Sequence, residues 1–168
     1  MVDPPSRDCG AALHYVAGRE EGMLLYFAYA ASIEPGRMTA LAPGAEFRFI
    51  AHLPEWRMVF SIPNGDSGLP SVQPESGNAV WGAVFTVPDA ELDALHRSEA
   101  EEGRVPTTVQ AMDREGRRHE VLTHVTGDEN NGEYKPVREY LSLMVAGGRH
   151  WSLPAGWIAS LEEHLENP

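Results

Sequence analysis

The sequence predicts an α+β fold: a curved or closed sheet with helices packed against its outside. Strand-like runs follow one another instead of alternating strictly with helices, which argues against a doubly wound parallel sheet. Two of them, residues 24–29 and 79–87, are apolar on both faces and need cover on each side. Amphipathic helical patterns end the chain. With 168 residues and 42% hydrophobic content, one domain with a substantial core is expected. That domain covers residues 23–168. Residues 1–22, with Pro4-Pro5 and little periodicity, read as a loosely held extension with at most a short helix over 11–17.

The first strand begins at Leu24 and carries Tyr26, Phe27 and Tyr29, all β-favouring. It runs into Ala30, Ala31 and Ser32, small residues that let another group approach the backbone, and Pro35-Gly36 ends the segment. A strand entering such a turn can present backbone N–H groups at a pocket rim. Residues 37–41 suit a short helix before Pro43-Gly44. Alternation over 46–53 (Phe47, Phe49, Ala51) and over 56–62 (Trp56, Met58, Phe60, Ile62), separated by Pro54-Glu55, reads as a meander pair. Residues 63–78 are rich in Gly, Pro, Ser and Asn and read as loop, with one short edge strand around Ser71-Val72-Gln73. Residues 79–87 form the strongest strand, which must be central, with Gly82 permitting close backbone packing. Pro88-Asp89 starts a short helix whose buried stripe holds Leu92 and Leu95 and which ends near Glu99. Residues 105–112 and 120–126 flank a turn at Gly116, a hairpin pattern. After a polar loop over 128–133, Val137, Tyr140, Leu141, Met144 and Val145 mark one face of a helix that Gly147-Gly148 terminates. A last helix opens at Pro154 and packs through Trp157, Ile158, Leu161 and Leu165. No internal repeat or low-complexity segment interrupts this order.

The formal charge is −12, from 25 acidic and 13 basic residues. A chain so acidic, without a Lys/Arg cluster, is repelled by nucleic acid and by anionic membrane. Arg114, Arg117 and Arg118 surround Gly116 and read as a solvated turn. Cys9 is the sole cysteine, so no internal disulfide is expected, and the pattern suits a reducing, cytoplasmic compartment. No apolar run is long enough to span a membrane as a helix, and the start is acidic and proline-rich, unlike a signal peptide.

Few residues offer chemistry. Glu99, Glu101 and Glu102 follow the helix of Leu92 and Leu95, where acidic side chains oppose the helix dipole. A carboxylate turned from there into an apolar cavity has its pKa raised and becomes a usable general base or acid. Spacing alone leaves the choice among the three open, and a solvated helix end is the plain alternative. The seven histidines show no ligand spacing: His119 and His124 straddle a strand boundary on opposite faces, and the other five stand isolated, so no metal is expected. Ser32 lacks the Gly-x-Ser-x-Gly elbow, and Gly65-Asp66-Ser67-Gly68 lacks the lysine and helix of a phosphate loop.

Taken together, these segments resemble the γ-glutamylcyclotransferase-like family, including its AIG2-like and aminoglycoside-biosynthesis members, over roughly residues 23–161. Tyr26-Phe27-Ala28-Tyr29 followed by Ala30-Ala31-Ser32-Ile33 falls where that family has Tyr-Phe-Ala-Tyr and Gly-Ser-Asn-Leu. Pro70-Ser71-Val72, Pro74, Gly77 and Val80-Trp81-Gly82 look like its Ala-Thr-Ile, Pro, Gly, Val-Trp-Gly series. The run from Leu92 to Glu99 is similar to its leucine-rich helix leading into an essential glutamate. Pro136 with Tyr140 matches Pro-Ser-x-x-Tyr, and Gly147 with Leu153-Pro154 matches the glycine and Leu-Pro ending.

The resemblance implies a small mixed β-barrel with flanking helices and a cavity at one end. It implies a cofactor-independent cyclotransferase acting on a small γ-glutamyl or related amide. The substrate's free α-amine attacks its own γ-glutamyl carbonyl, releasing 5-oxoproline and an amine or amino acid. Carried over by position, Glu99 is the general base, the backbone of Tyr26, Phe27, Ala28, Tyr29, Ala30 and Ala31 holds the glutamyl group beside Ser32, and Tyr140 walls the pocket. Glu101 and Glu102 are then left as surface charges. Ala30-Ala31-Ser32 in place of Gly-Ser-Asn removes a hydroxyl and an amide from the rim, and Ala100 replaces the glycine after the glutamate. A lost hydrogen bond to a charged group costs on the order of 1.5 to 3 kcal/mol. The alternative expectation is therefore a binding or regulatory domain that keeps the barrel cavity without turnover.

Overall fold

The computed structural model describes residues 22–127 and 132–166; the expected N-terminal extension and part of the polar loop at 128–133 lie outside them. The strands are β1 (Met23–Ala28), β2 (Glu46–Asn64), β3 (Ser67–Pro88), β4 (Arg104–Asp113), β5 (Arg118–Thr126) and the two-residue β6 (Lys135–Pro136). The helices are α1 (Pro35–Leu41), α2 (Leu92–Glu101), α3 (Arg138–His150) and α4 (Ala155–Glu166). Hydrogen bonding runs in the order β1-β5-β4-β2-β3, and β1 also pairs with β3, which closes a ring of five strands. β1 lies parallel to β5 and antiparallel to β3, so the barrel is mixed. The expected α+β barrel with flanking helices is observed.

Closure explains the strands that are apolar on both faces. Leu25, Phe27 and Tyr29 join Leu53, Val84, Val109 and Val121 in a cluster drawn almost wholly from strands. Tyr26 and Ala28, of opposite parity, pack instead with Ile33, Phe85 and Val87 and with Leu95 of α2. Side chains alternate across a strand, so one strand serves the barrel interior and the layer beneath the helices.

Three expectations are corrected. The segment read as a meander pair is one long strand, β2, whose register against β3 shifts between Pro54 and Trp56, where Glu55 takes φ 67°. A bulge of this kind bends a strand without ending it. Residues read as loop between 63 and 78 belong mostly to β3: Asn64 pairs with Ser67 around Gly65-Asp66, and pairing continues through Val59↔Ser71, Met58↔Val72 and Arg57↔Gln73. Gly147-Gly148 does not stop α3, which continues to His150. A Cβ on Gly147 would lie 2.5 Å from Ile33 Cγ2 and 2.7 Å from the Ile33 backbone. That glycine lets α3 press against the turn after β1.

Gly82 plays the same part inside the barrel. A Cβ there would meet the Ala28 carbonyl oxygen at 2.5 Å and Phe27 Cζ at 2.6 Å. Neither can retreat from a closed strand pair, so Gly82→Ala lowers unfolding free energy by about 1–3 kcal/mol, the usual cost of overpacking. Denaturant titration with an unchanged slope checks this. Among the described residues, no helix is long and apolar enough to cross a membrane.

Candidate active site

Glu99 enters the interior because Leu92, Leu95 and Glu99 share one face of α2 at spacings of three and four. Leu95 is fully buried and Glu99 only 4% exposed. α2 ends at Glu101 with Glu102 as its cap, and Gly103, at φ 99°, turns the chain back into β4. This reversal sends Arg104 inward, where it is 0% exposed. The five-residue path from Glu99 to Arg104 therefore closes on itself: Arg104 Nη1 donates to Glu99 Oε1 at 3.1 Å.

Arg104 is the residue that sequence reading missed. Its Nε donates to the Pro70 carbonyl at 2.7 Å, its Nη1 also donates to Glu102 Oε1, and its Nη2 donates to the Tyr140 hydroxyl at 3.1 Å. Glu102, expected to be a surface charge, is thus part of the cluster. Tyr140, from α3, accepts from Arg104 and from the Ala31 backbone N–H at 3.2 Å, and donates to Glu102 Oε1 at 2.7 Å. Glu101 remains exposed as expected.

The segment expected to form the rim is where the chain leaves β1, and it is buried. Tyr26, Phe27 and Ala28 are held in register with Phe85, Val84 and Ala83 of β3, and the Phe27 carbonyl also accepts from Thr123 Oγ1. Ala31, Ser32 and Ile33 then form a single 3-10 turn, buried throughout. Ala31 N–H donates to the Tyr140 hydroxyl, and Ser32 is 4% exposed. The Tyr29 hydroxyl donates to the His124 carbonyl at 2.7 Å. Of the sequence-derived residues, Ala31, Tyr140 and Glu99 are linked, the Ala31 amide through Tyr140 to Arg104 and Glu99, while Tyr26, Phe27, Ala28, Tyr29, Ala30 and Ser32 are buried.

Electrostatics follow from burial. Burial pushes the Glu99 carboxyl above its ordinary value of 4.5, Arg104 pulls it back, and nearby Glu102 raises it again. Burial likewise raises the Tyr29 and Tyr140 hydroxyls, with Arg104 opposing. Both phenols stay protonated and can donate. A second chain runs from Tyr26, whose hydroxyl lies 3.0 Å from His124 Nδ1, to His124 Nε2, 2.9 Å from His96 Nδ1. His96 is therefore not isolated, and His119 and His124 both lie within β5 instead of straddling its boundary. Burial, with smaller contributions from His96 and Arg104, lowers His124 to about 4, so it is neutral at pH 7. Among the described residues, no three His, Cys, Asp or Glu side chains are grouped so as to hold a metal ion.

An open groove of about 390 Å³, lined by Leu69, Glu101, Glu102, Glu139, Tyr140 and Leu143 among others, reaches this cluster from outside. Glu102 and Tyr140 stand where the groove meets the buried pair.

Residues 79–161 match the model of the AIG2-like family. The chain is 25% identical over 138 residues to γ-glutamylcyclotransferase of Bos taurus, covering 77% of this chain and 72% of the relative. It is 23% identical over 155 residues to the Homo sapiens γ-glutamylcyclotransferase, covering 88% and 81%. Among solved structures, one of a γ-glutamyl cyclotransferase superposes with a TM-score of 0.76 at 22% identity, covering 83% of this chain and 86% of the other. The structure of YkqA from Bacillus subtilis gives 0.75 at 18% identity, covering 92% and 58%. At these identities the structural matches establish the fold.

Proposed function

We propose that this chain belongs with the γ-glutamylcyclotransferases it resembles and that it cyclises a γ-glutamyl or related amide, with Glu99 as general base. The observation that carries this reading is a carboxylate 4% exposed, raised by burial, and joined through Arg104 and Tyr140 to the Ala31 amide. The chemistry balances without a co-reactant. Glu99 takes a proton from the substrate's α-ammonium, and the freed nitrogen attacks the γ-carbonyl carbon. As the amide C–N bond breaks, the departing nitrogen receives that proton from Glu99, and Glu99 then relays the second proton of the attacking nitrogen to the released amine, leaving 5-oxoproline with its lactam N–H and an ammonium product. A tethered nucleophile makes this step intramolecular, so the protein has to supply geometry and a proton acceptor. The Ala31 amide and the Tyr140 hydroxyl, bonded to each other and through Tyr140 to Glu102, orient the glutamyl portion by exchanging these bonds for ones to the substrate.

Incubation with a panel of γ-glutamyl amino acids and γ-glutamyl amines is expected to yield 5-oxoproline and free amine in equal amounts from at least one member. A complete absence of 5-oxoproline across the panel removes this reading. It would leave the second one, a binding domain without turnover, which one observation favours: Arg104 already engages Glu99 Oε1.

A further inference from the structure

We infer that Arg104 and Tyr140 form a seat for a ligand carboxylate, that Glu102 occupies this seat as an internal stand-in, and that a small carboxylate entering by the groove displaces it. Three observations support the inference. First, Arg104 meets two carboxylates that differ in depth. Glu99 is enclosed, whereas the Glu102 side chain is 18% exposed at the end of α2 and lines the groove. Only the outer carboxylate can swing out without opening the barrel.

Second, the seat has the donor pattern that carboxylates select. Glu102 Oε1 receives both an Arg104 Nη1 hydrogen and the Tyr140 hydroxyl. The guanidinium is held in place from behind by the Pro70 carbonyl, so it stays preorganised when Glu102 leaves. Third, Arg37 on α1 offers Glu102 a place to go. It lies 3.9 Å from Glu102 Oε2 and its side chain is 43% exposed, so Glu102 can keep one cationic neighbour while turning toward solvent. The turn after β1 supplies no charged side-chain donor, because Ala30 and Ala31 carry methyl groups and Ser32 a neutral hydroxyl. Arg104 therefore gives the site a charged donor from the opposite wall.

The identification of the ligand as a glutamyl-derived carboxylate rests on the cyclotransferase reading; the seat itself rests on Arg104, Tyr140 and Glu102. The test accordingly uses two probe pairs that differ only in the carboxylate: acetate against acetamide, and 5-oxoproline against its carboxamide. Each is titrated at constant ionic strength while the Arg104 Nε–H resonance is followed by NMR. In Glu102→Gln the two acids are expected to bind about tenfold more tightly than in the wild type, the worth of one charge-assisted hydrogen bond no longer competed for. The amides should gain less than twofold. Glu101→Gln removes the same charge from the same groove without touching Arg104, and should change acid binding less than twofold. Arg104→Lys, which keeps the charge and loses the planar fork, weakens both acids.

Equal gains in Glu101→Gln and Glu102→Gln would overturn the seat, as would equal gains for acids and amides or no acid binding in Glu102→Gln. Should Arg104→Lys fail to fold, the two glutamate variants still decide. Acetate obeying this pattern while 5-oxoproline does not would uphold the seat and count against the glutamyl reading.

Discussion

Glu99→Gln lowers kcat for 5-oxoproline formation by about 10²- to 10⁴-fold, the usual worth of a positioned general base. Gln is nearly isosteric and its amide oxygen can still accept from Arg104 Nη1, so the loss is of proton affinity and not of shape. The pH dependence carries the signature. In the wild type the rate rises as Glu99 ionises, and because burial raises this carboxyl, that limb lies above the ordinary value of 4.5. In Glu99→Gln the limb disappears. Stability moves in the opposite sense. A carboxyl whose folded pKa is raised binds its proton more readily in the native state, so its contribution declines as pH rises from about the unfolded value through the folded one. Denaturant midpoints of wild type and Glu99→Gln across that range are expected to diverge, with the wild type losing more stability as pH increases. Parallel curves would mean that Glu99 titrates as an ordinary exposed carboxyl.

Arg104→Met is the most destabilising single change expected at the site, at about 3–5 kcal/mol, the cost of leaving a buried ion-pair partner uncompensated. It strands Glu99 and Glu102 together and leaves the Pro70 carbonyl and the Tyr140 hydroxyl without their guanidinium donor. The raised Glu99 carboxyl rises further, since Arg104 is the group that pulls it down. Neutralising the stranded acids recovers part of the loss. Arg104→Met combined with Glu99→Gln and Glu102→Gln should be more stable than Arg104→Met alone, because replacing a whole buried ionic cluster costs less than breaking it. A triple variant no more stable than the single one would show that Arg104 contributes mainly through packing.

The difference between these two residues marks what the sequence could convey. The buried face of Leu92 and Leu95 was legible, but spacing left Glu99, Glu101 and Glu102 open and only the family resemblance singled out Glu99. Burial of the strand around Val84 was equally plain, since an uninterrupted apolar run admits little else. Arg104 was not legible. An arginine after Gly103 at the foot of an acidic helix reads as solvated, and only closure of the barrel, with β4 passing beneath Pro70 and Tyr140, encloses it. Glu102 was misread for the same reason: its partners are the enclosed Arg104 and Tyr140 of α3. The first half of β3 was hidden by its composition, because Gly, Pro, Ser and Asn suggest loop locally whereas continuous pairing with β2 imposes strand. Gly147 misled in the reverse direction, as a stop signal that proved to be a contact with Ile33.

Cyclisation and hydrolysis of a γ-glutamyl amide release the same amine, and they differ in where the new bond to the γ-carbon comes from. Turnover in ¹⁸O-water by wild type and Glu99→Gln, followed by mass spectrometry of both acidic products, separates them. The expected result is 5-oxoproline without solvent oxygen, formed by the wild type at a rate well above that of Glu99→Gln, with no labelled glutamate. Labelled glutamate as the main product, or 5-oxoproline at equal rates from both proteins, would contradict the assignment of Glu99 as the base of an intramolecular cyclisation.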